Sequence, residues 1–167
     1  MNAAELAERV ESRFPDAIVA RGEVTVIVEP PKLLESLEWL REEPDLWFDF
    51  LSDLSASDWP DRDPRFWVAY HLTSTRHSHR IRVKTGAPEK DARLPSATGL
   101  FPTANWHERE VFDMFGVRFD GHPGLTRIFM PDDWEGHPQR KDYPLGGVPV
   151  EYKGAEIPPP DQRRVYQ

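Results

Sequence analysis

Residues Asn105–Leu145 read NWHEREVFDMFGVRFDGHPGLTRIFMPDDWEGHPQRKDYPL, and no other stretch of the chain is so dense in charged residues, aromatics, Gly turns and Pro stops. It opens as a helix. Asn105 suits an N-cap, Glu108 stands three residues on as in a capping box, and Gly116 falls where a left-handed residue ends a helix. At about 100° per residue, Val111, Phe112, Met114 and Phe115 share an apolar arc. Arg109, Glu110 and Asp113 lie opposite, with Trp106 among them. Glu108 falls inside the apolar arc. Either it satisfies the helix's own first N–H groups, or it is a buried carboxylate paired with an Arg, because an unpaired buried charge is too costly.

Beyond Gly116, Val117-Arg118-Phe119 suits one short strand. The chain then avoids regular structure. Gly121-His122-Pro123 and Gly136-His137-Pro138 repeat one triplet, in which Pro holds the His extended and removes a backbone donor. Such a segment cannot pair with itself, so it must lie along its own domain or along another protein. Arg140-Lys141-Asp142-Tyr143-Pro144 then reads as a clamp. Alternation puts Arg140 and Asp142 on one side and Lys141 and Tyr143 on the other, and an Arg suits a two-point contact with a carboxylate.

Glu108-Arg109-Glu110, Asp113, Gly116, Phe119, His122-Pro123, Leu125, Arg127-Ile128 and Arg140-Lys141-Asp142-Tyr143-Pro144-Leu145 together resemble the signature of the 30-kDa subunit of respiratory complex I. Gly124, Thr126 and Gln139 depart from it, standing where that family usually has Asp, Arg and Leu. The resemblance implies a subunit of the hydrophilic arm of a proton-translocating NADH–quinone oxidoreductase. It implies no cofactor in this chain, FMN and iron–sulfur clusters residing in partner subunits. The expected partner is chiefly the 49-kDa-type subunit, and the expected place is peripheral, on the cytoplasmic side of the cell membrane. Glu108, Arg109, Glu110, Asp113, Gly116, His122, Pro123, Arg127, Arg140, Lys141, Asp142, Tyr143 and Pro144 would then be signature and partner-interface positions. Related chains serve membrane-bound hydrogenases and ferredoxin- or F420-linked dehydrogenases.

Working outward, Asn2–Phe14 reads as a helix, with Leu6, Val10 and Phe14 on one face. Glu23–Glu29 alternates as a strand before Pro30-Pro31. Lys32–Glu43 reads as a helix presenting Leu33, Leu34, Leu37 and Leu40 on one face. Leu46–Leu54 suits a strand. Ser55–Pro64 reads as a loop, and Arg65–Thr73 with His77–Lys84 as a hairpin turning at Ser74-Thr75-Arg76. This order predicts an α/β (α+β) two-layer sandwich, a mixed sheet with helices on one face. The expected domain spans residues 1–120. Residues 121–167 are expected to be an extended Pro-rich segment that docks on a partner.

Composition narrows the functions. The 167 residues suit one domain, and with no Cys there is no thiolate metal site, Cys-ligated cluster or Cys nucleophile. Apolar runs are too short to span a bilayer, and the acidic N-terminal segment resembles neither a signal nor a transit peptide. The net charge of −8 is uneven: residues 1–63 carry 16 acids and 6 bases, the remainder 13 and 15. An acidic front half argues against nucleic acid. Of 17 prolines, 8 fall in residues 123–167, which is why the tail is expected to be non-helical.

Sites of independent chemistry are weak. His71, His77 and His79 could meet across the hairpin, but no acidic company supports a metal. His107-Glu108-Arg109-Glu110 lacks the second His of a zincin helix, and no phosphate-cradling Gly loop or nucleophile elbow occurs. Asp132, Asp133 and Glu135 suit a solvated turn. A stand-alone metal hydrolase using His122, His137 and nearby acids is the alternative reading.

Overall fold

A computed structural model describes residues 1–144 and, beyond them, the backbone of two short strands, Val150–Tyr152 and Ala155–Ile157. The rest of the expected tail, with Leu145 and Pro158-Pro159-Pro160, lies outside the described residues. The elements run α1 (Ala3–Val10), β1 (Ile18–Ala20), β2 (Glu23–Ile27), α2 (Leu33–Glu42), β3 (Phe50–Asp58), β4 (Phe66–Thr73), β5 (Arg80–Ala87), β6 (Arg93–Pro95), α3 (Ala104–Phe115) and β7 (Arg118–Asp120). The last two strands, β8 and β9, pair antiparallel with each other.

Five strands form one mixed sheet in the order β1-β2-β5-β4-β3. β2 and β5 are parallel and the other neighbours antiparallel. A second, two-stranded parallel sheet joins β6 to β7, with α3 as the crossover between them. Along β4, Phe66, Val68, Tyr70 and Leu72 are buried in strict alternation. They pack in one core with Leu6 and Val10 of α1, Leu33, Leu37 and Leu40 of α2, and Val111 and Met114 of α3. The expected two-layer α/β sandwich is the fold.

Several boundaries move for identifiable reasons. α1 stops at Val10 and gives way to turns, and its start carries a capping box that sequence reading passed over: Asn2 accepts from the Glu5 N–H while Glu5 accepts from the Asn2 N–H. β1 was not expected. It is only three residues long and joins β2 through Arg21 and Gly22, both at positive φ (53° and 77°), a mirror-type hairpin turn without the usual Asn. β3 begins at Phe50 rather than Leu46, because Leu46 and Trp47 close a turn onto the Glu43 carbonyl. It then runs on to Asp58, through the first four residues of the expected loop. β6 has no strand pattern of its own; it exists because β7 offers it a parallel partner from far along the chain. The β4–β5 connection spans Ser74–His79, closed by Ser74 and His79 and tethered by Thr75 to Asp49.

Candidate functional site

α3 carries the expected left-handed Gly116 at its end (φ 77°), but its start differs from expectation. The helix begins at Ala104 behind Thr103, whose side chain makes no capping bond. Asn105 is already inside it, so Glu108 cannot close a capping box. Glu108 is fully buried, and neither expected role holds. Its carboxylate accepts from the Ser96 hydroxyl (2.6 Å) and from the Ala97 N–H (2.6 Å). It therefore ties the end of β6 to the inner face of α3. Burial pushes the Glu108 carboxyl up to about 7, with the two hydrogen bonds opposing that rise.

Asp113 is the second correction. The helical wheel puts it on the outer face with Arg109 and Glu110, yet it is fully buried. Residues 122–144 cross α3 there as a strap and cover it. One Asp113 oxygen accepts from three successive N–H groups, Ile128 (3.0 Å), Phe129 (2.7 Å) and Met130 (2.9 Å). The other accepts from Arg127 Nη1 at 2.7 Å. Burial alone would raise this carboxyl, but those donors outweigh it and hold it below the usual carboxylate value. A wheel sees only the helix; it cannot show a loop arriving on its outer face.

The same pattern recurs along the strap: cations and ring nitrogens end on carbonyls. Arg127 Nη2 donates to Trp134 and Gly136 (2.9 and 3.0 Å), and Arg109 donates to Thr126 and Arg127 (both 3.1 Å). His137 Nδ1 lies 2.9 Å from the Asp113 carbonyl oxygen. His122 Nε2 donates to the Asn105 carbonyl while its Nδ1 accepts from the Gly124 N–H. At Gly116 a Cβ would lie 2.5 Å from the His137 ring, so that glycine answers both the positive φ and the strap's close approach.

The clamp is organised by two residues that sequence reading left out. Asp58, the last residue of β3, and Arg65 are buried and form a two-point pair at 2.7 and 2.9 Å. Arg65 also holds Glu89 and, at 3.0 Å, Asp142. Asp58 accepts in addition from the Lys141 N–H at 2.7 Å. The Arg65 pairing holds the Asp58 carboxyl below its ordinary value. The expected two-point contact thus belongs to Arg65. Arg140 instead donates to the Phe115 carbonyl (2.6 Å) and stacks over Phe66. Residues 140–143 form a turn, with the Tyr143 N–H on the Arg140 carbonyl (3.1 Å), in place of the extended segment that alternation assumes; Arg140 and Asp142 both reach the body from it, and Tyr143 packs against Gly136. Glu110, Pro123 and Pro144 are exposed. No signal in the sequence singles out the Asp58–Arg65 pair, since Asp61, Arg62 and Asp63 stand between them as equal candidates.

His79 and His77 do not build a metal site: their Nε2 atoms face the carbonyls of Leu46 (2.7 Å) and Pro44 (3.1 Å). Among the described residues no group of three or more His, Asp or Glu is placed to hold a metal ion. No helix among them is long and apolar enough to cross a membrane.

Residues 26–149 match the family of the respiratory-chain NADH dehydrogenase, 30 Kd subunit. The chain belongs to that family. The C subunit of the NADH-quinone oxidoreductase of Salinispora arenicola is 52% identical over 98% of this chain and 70% of its own length. That of Mycolicibacterium gilvum is 53% identical over 96% and 74%. Two solved structures extend the comparison. A trypsin-resistant fragment (1–134) of Nqo5 is 30% identical, with a TM-score of 0.62, over 73% of this chain and 98% of the fragment. A chain of the membrane-bound sulfane sulfur reductase, an archaeal respiratory membrane complex, is 28% identical with a TM-score of 0.74 over 85% of each. The chain is accordingly a component of an NADH–quinone oxidoreductase, an electron-transport complex of the respiratory chain.

Proposed function

We propose that this chain is a structural and assembly component of the hydrophilic arm with no active site or cofactor of its own. It docks chiefly on the 49-kDa-type subunit, peripherally on the cytoplasmic side of the membrane, while FMN and iron–sulfur clusters reside in partner subunits. One observation carries this reading. The charged signature residues Glu108, Arg109, Asp113, Arg127 and Arg140 all bind this chain's own backbone or one another. Groups so fully engaged are poor acids, bases or ligands for a substrate. Their effect is to shape the strap, and through it the surface offered to a neighbour. On this reading the signature acts on the partner indirectly, and residues 121–167 supply much of the docking face.

The test is copurification of the tagged chain from its native membrane. The expected companions are hydrophilic-arm subunits, with a 49-kDa-type subunit in equal amount, and the isolated chain neither oxidises NADH nor holds stoichiometric metal. A free homo-oligomer with bound metal and hydrolytic activity would overturn the proposal.

A further inference from the structure

Three large aromatic side chains border the junction of α3 with the strap and stay out of the core: Trp106 is 61% exposed, Phe129 62% and Trp134 40%. They are linked through the same few contacts. Arg109 stacks on Trp106 and donates to the carbonyls of Thr126 and Arg127. Phe129 gives its N–H to Asp113, and Trp134 gives its carbonyl to Arg127. The backbone beneath the rings is therefore fixed, so covering them costs little further ordering. With each ring worth about 150–250 Å² and roughly half of it still exposed, the three offer on the order of 200–400 Å². That suits the centre of a standard interface of about 800 Å² per partner.

The rim is acidic. Glu110, Asp132 and Asp133 are exposed and form no ion pair among the described residues, whereas Arg109 and Arg127 point their charge into carbonyls. A second copy of this face would set acid against acid, so a self-paired dimer is disfavoured. We propose that this aromatic face is the docking surface for a different subunit, one whose apposed surface has an apolar recess rimmed by Lys and Arg. This rests on the assembly-subunit reading above and gives the partner surface its chemistry.

The test uses the tagged chain in its native membrane complex. Wild type, the double variant Trp106→Ser/Phe129→Ser and the double variant Asp132→Lys/Asp133→Lys are isolated in mild detergent and their companions quantified. The aromatic variant should lose bound companions about tenfold or more while the purified chain keeps its denaturant midpoint. The charge variant should lose them more at low salt than at high salt. Should the aromatic variant lose its midpoint, Trp134→Ser takes its place. Wild-type companion levels in all variants would overturn the proposal and leave the assembly reading intact, whereas a wild-type chain without companions would refute that reading itself. Two further measurements on the isolated full chain can each overturn the proposal. Deletion of residues 145–167 that increases quenching of Trp fluorescence would give the face to the chain's own tail. A dimer abolished by Phe129→Ser would give it to a second copy.

Discussion

Glu108→Gln tests the buried carboxylate at its most informative point, the dependence of stability on pH. The wild-type carboxyl titrates at about 7 in the folded chain, against 4.5 for an unperturbed Glu, because it is buried. A raised acid keeps its proton in the folded state after the unfolded state has lost it. Stability is then fullest below pH 4.5 and falls as pH rises from there to about 7. Carrying the carboxyl over that interval corresponds to about 3 kcal/mol, or roughly 6–12 °C in Tm for a chain of this size. Gln does not titrate. Its carbonyl can accept from the Ala97 N–H, and its amide can donate to the Ser96 hydroxyl, which is free to turn toward Thr98. The variant should be slightly less stable than wild type at pH 5 and gain on it by about 3 kcal/mol by pH 8.5. Exposed Glu110→Gln should track wild type within about 0.5 kcal/mol throughout. Denaturant midpoints of the three chains at four or five pH values decide the matter. A difference between Glu108→Gln and wild type that stays flat from pH 5 to 8.5 would refute the reasoning, since the carboxylate would then be ionised in place.

Asp113→Asn should cost about 3–5 kcal/mol, because it leaves Arg127 without its buried counter-charge and turns an amide toward the Ile128–Met130 N–H groups; hydrogen exchange should show the strap losing protection before the sheet does. Gly116→Ala should cost about 1–3 kcal/mol from the positive φ, with more from the collision with His137, and limited proteolysis should then cut within residues 122–144. Burial holds the His137 imidazole below its ordinary 6.5, so the unfolded chain takes up that proton first and stability falls as pH drops below 6.5. His137→Gln should flatten that acid limb relative to wild type in the same midpoint series.

The elements legible from sequence were those whose own side chains carry the pattern. β4 announces itself through Phe66, Val68, Tyr70 and Leu72, and α2 through Leu33, Leu37 and Leu40, because each face is buried against the core in its own period. β1 and β6 are three residues each and owe their existence to a partner strand, so no local pattern marks them. Gly116 was legible because a positive φ restricts the residue type, whereas Asp58 and Arg65 are common residues whose meaning comes only from meeting each other and residues 141–142.

The charge density of Asn105–Leu145 illustrates the difference between a residue's importance and its role. A segment without helix or sheet must find partners for its backbone elsewhere. Residues 122–144 find them in side chains: Asp113 collects three N–H groups, Asp58 a fourth, and Arg109, Arg127 and Arg140 bind carbonyls. Acids take up the strap's donors, and arginines bind its acceptors or hold it to acceptors on the body. The two kinds are needed together because an irregular strap exposes both. Read along the sequence, such a set looks like an interface that seeks a partner; folded, it replaces the hydrogen-bond ladder that the strap lacks. What it leaves outward is therefore the side chains that make none of those hydrogen bonds themselves. Trp106, Phe129 and Trp134 are chief among these, and they carry little weight in a signature read for its charges.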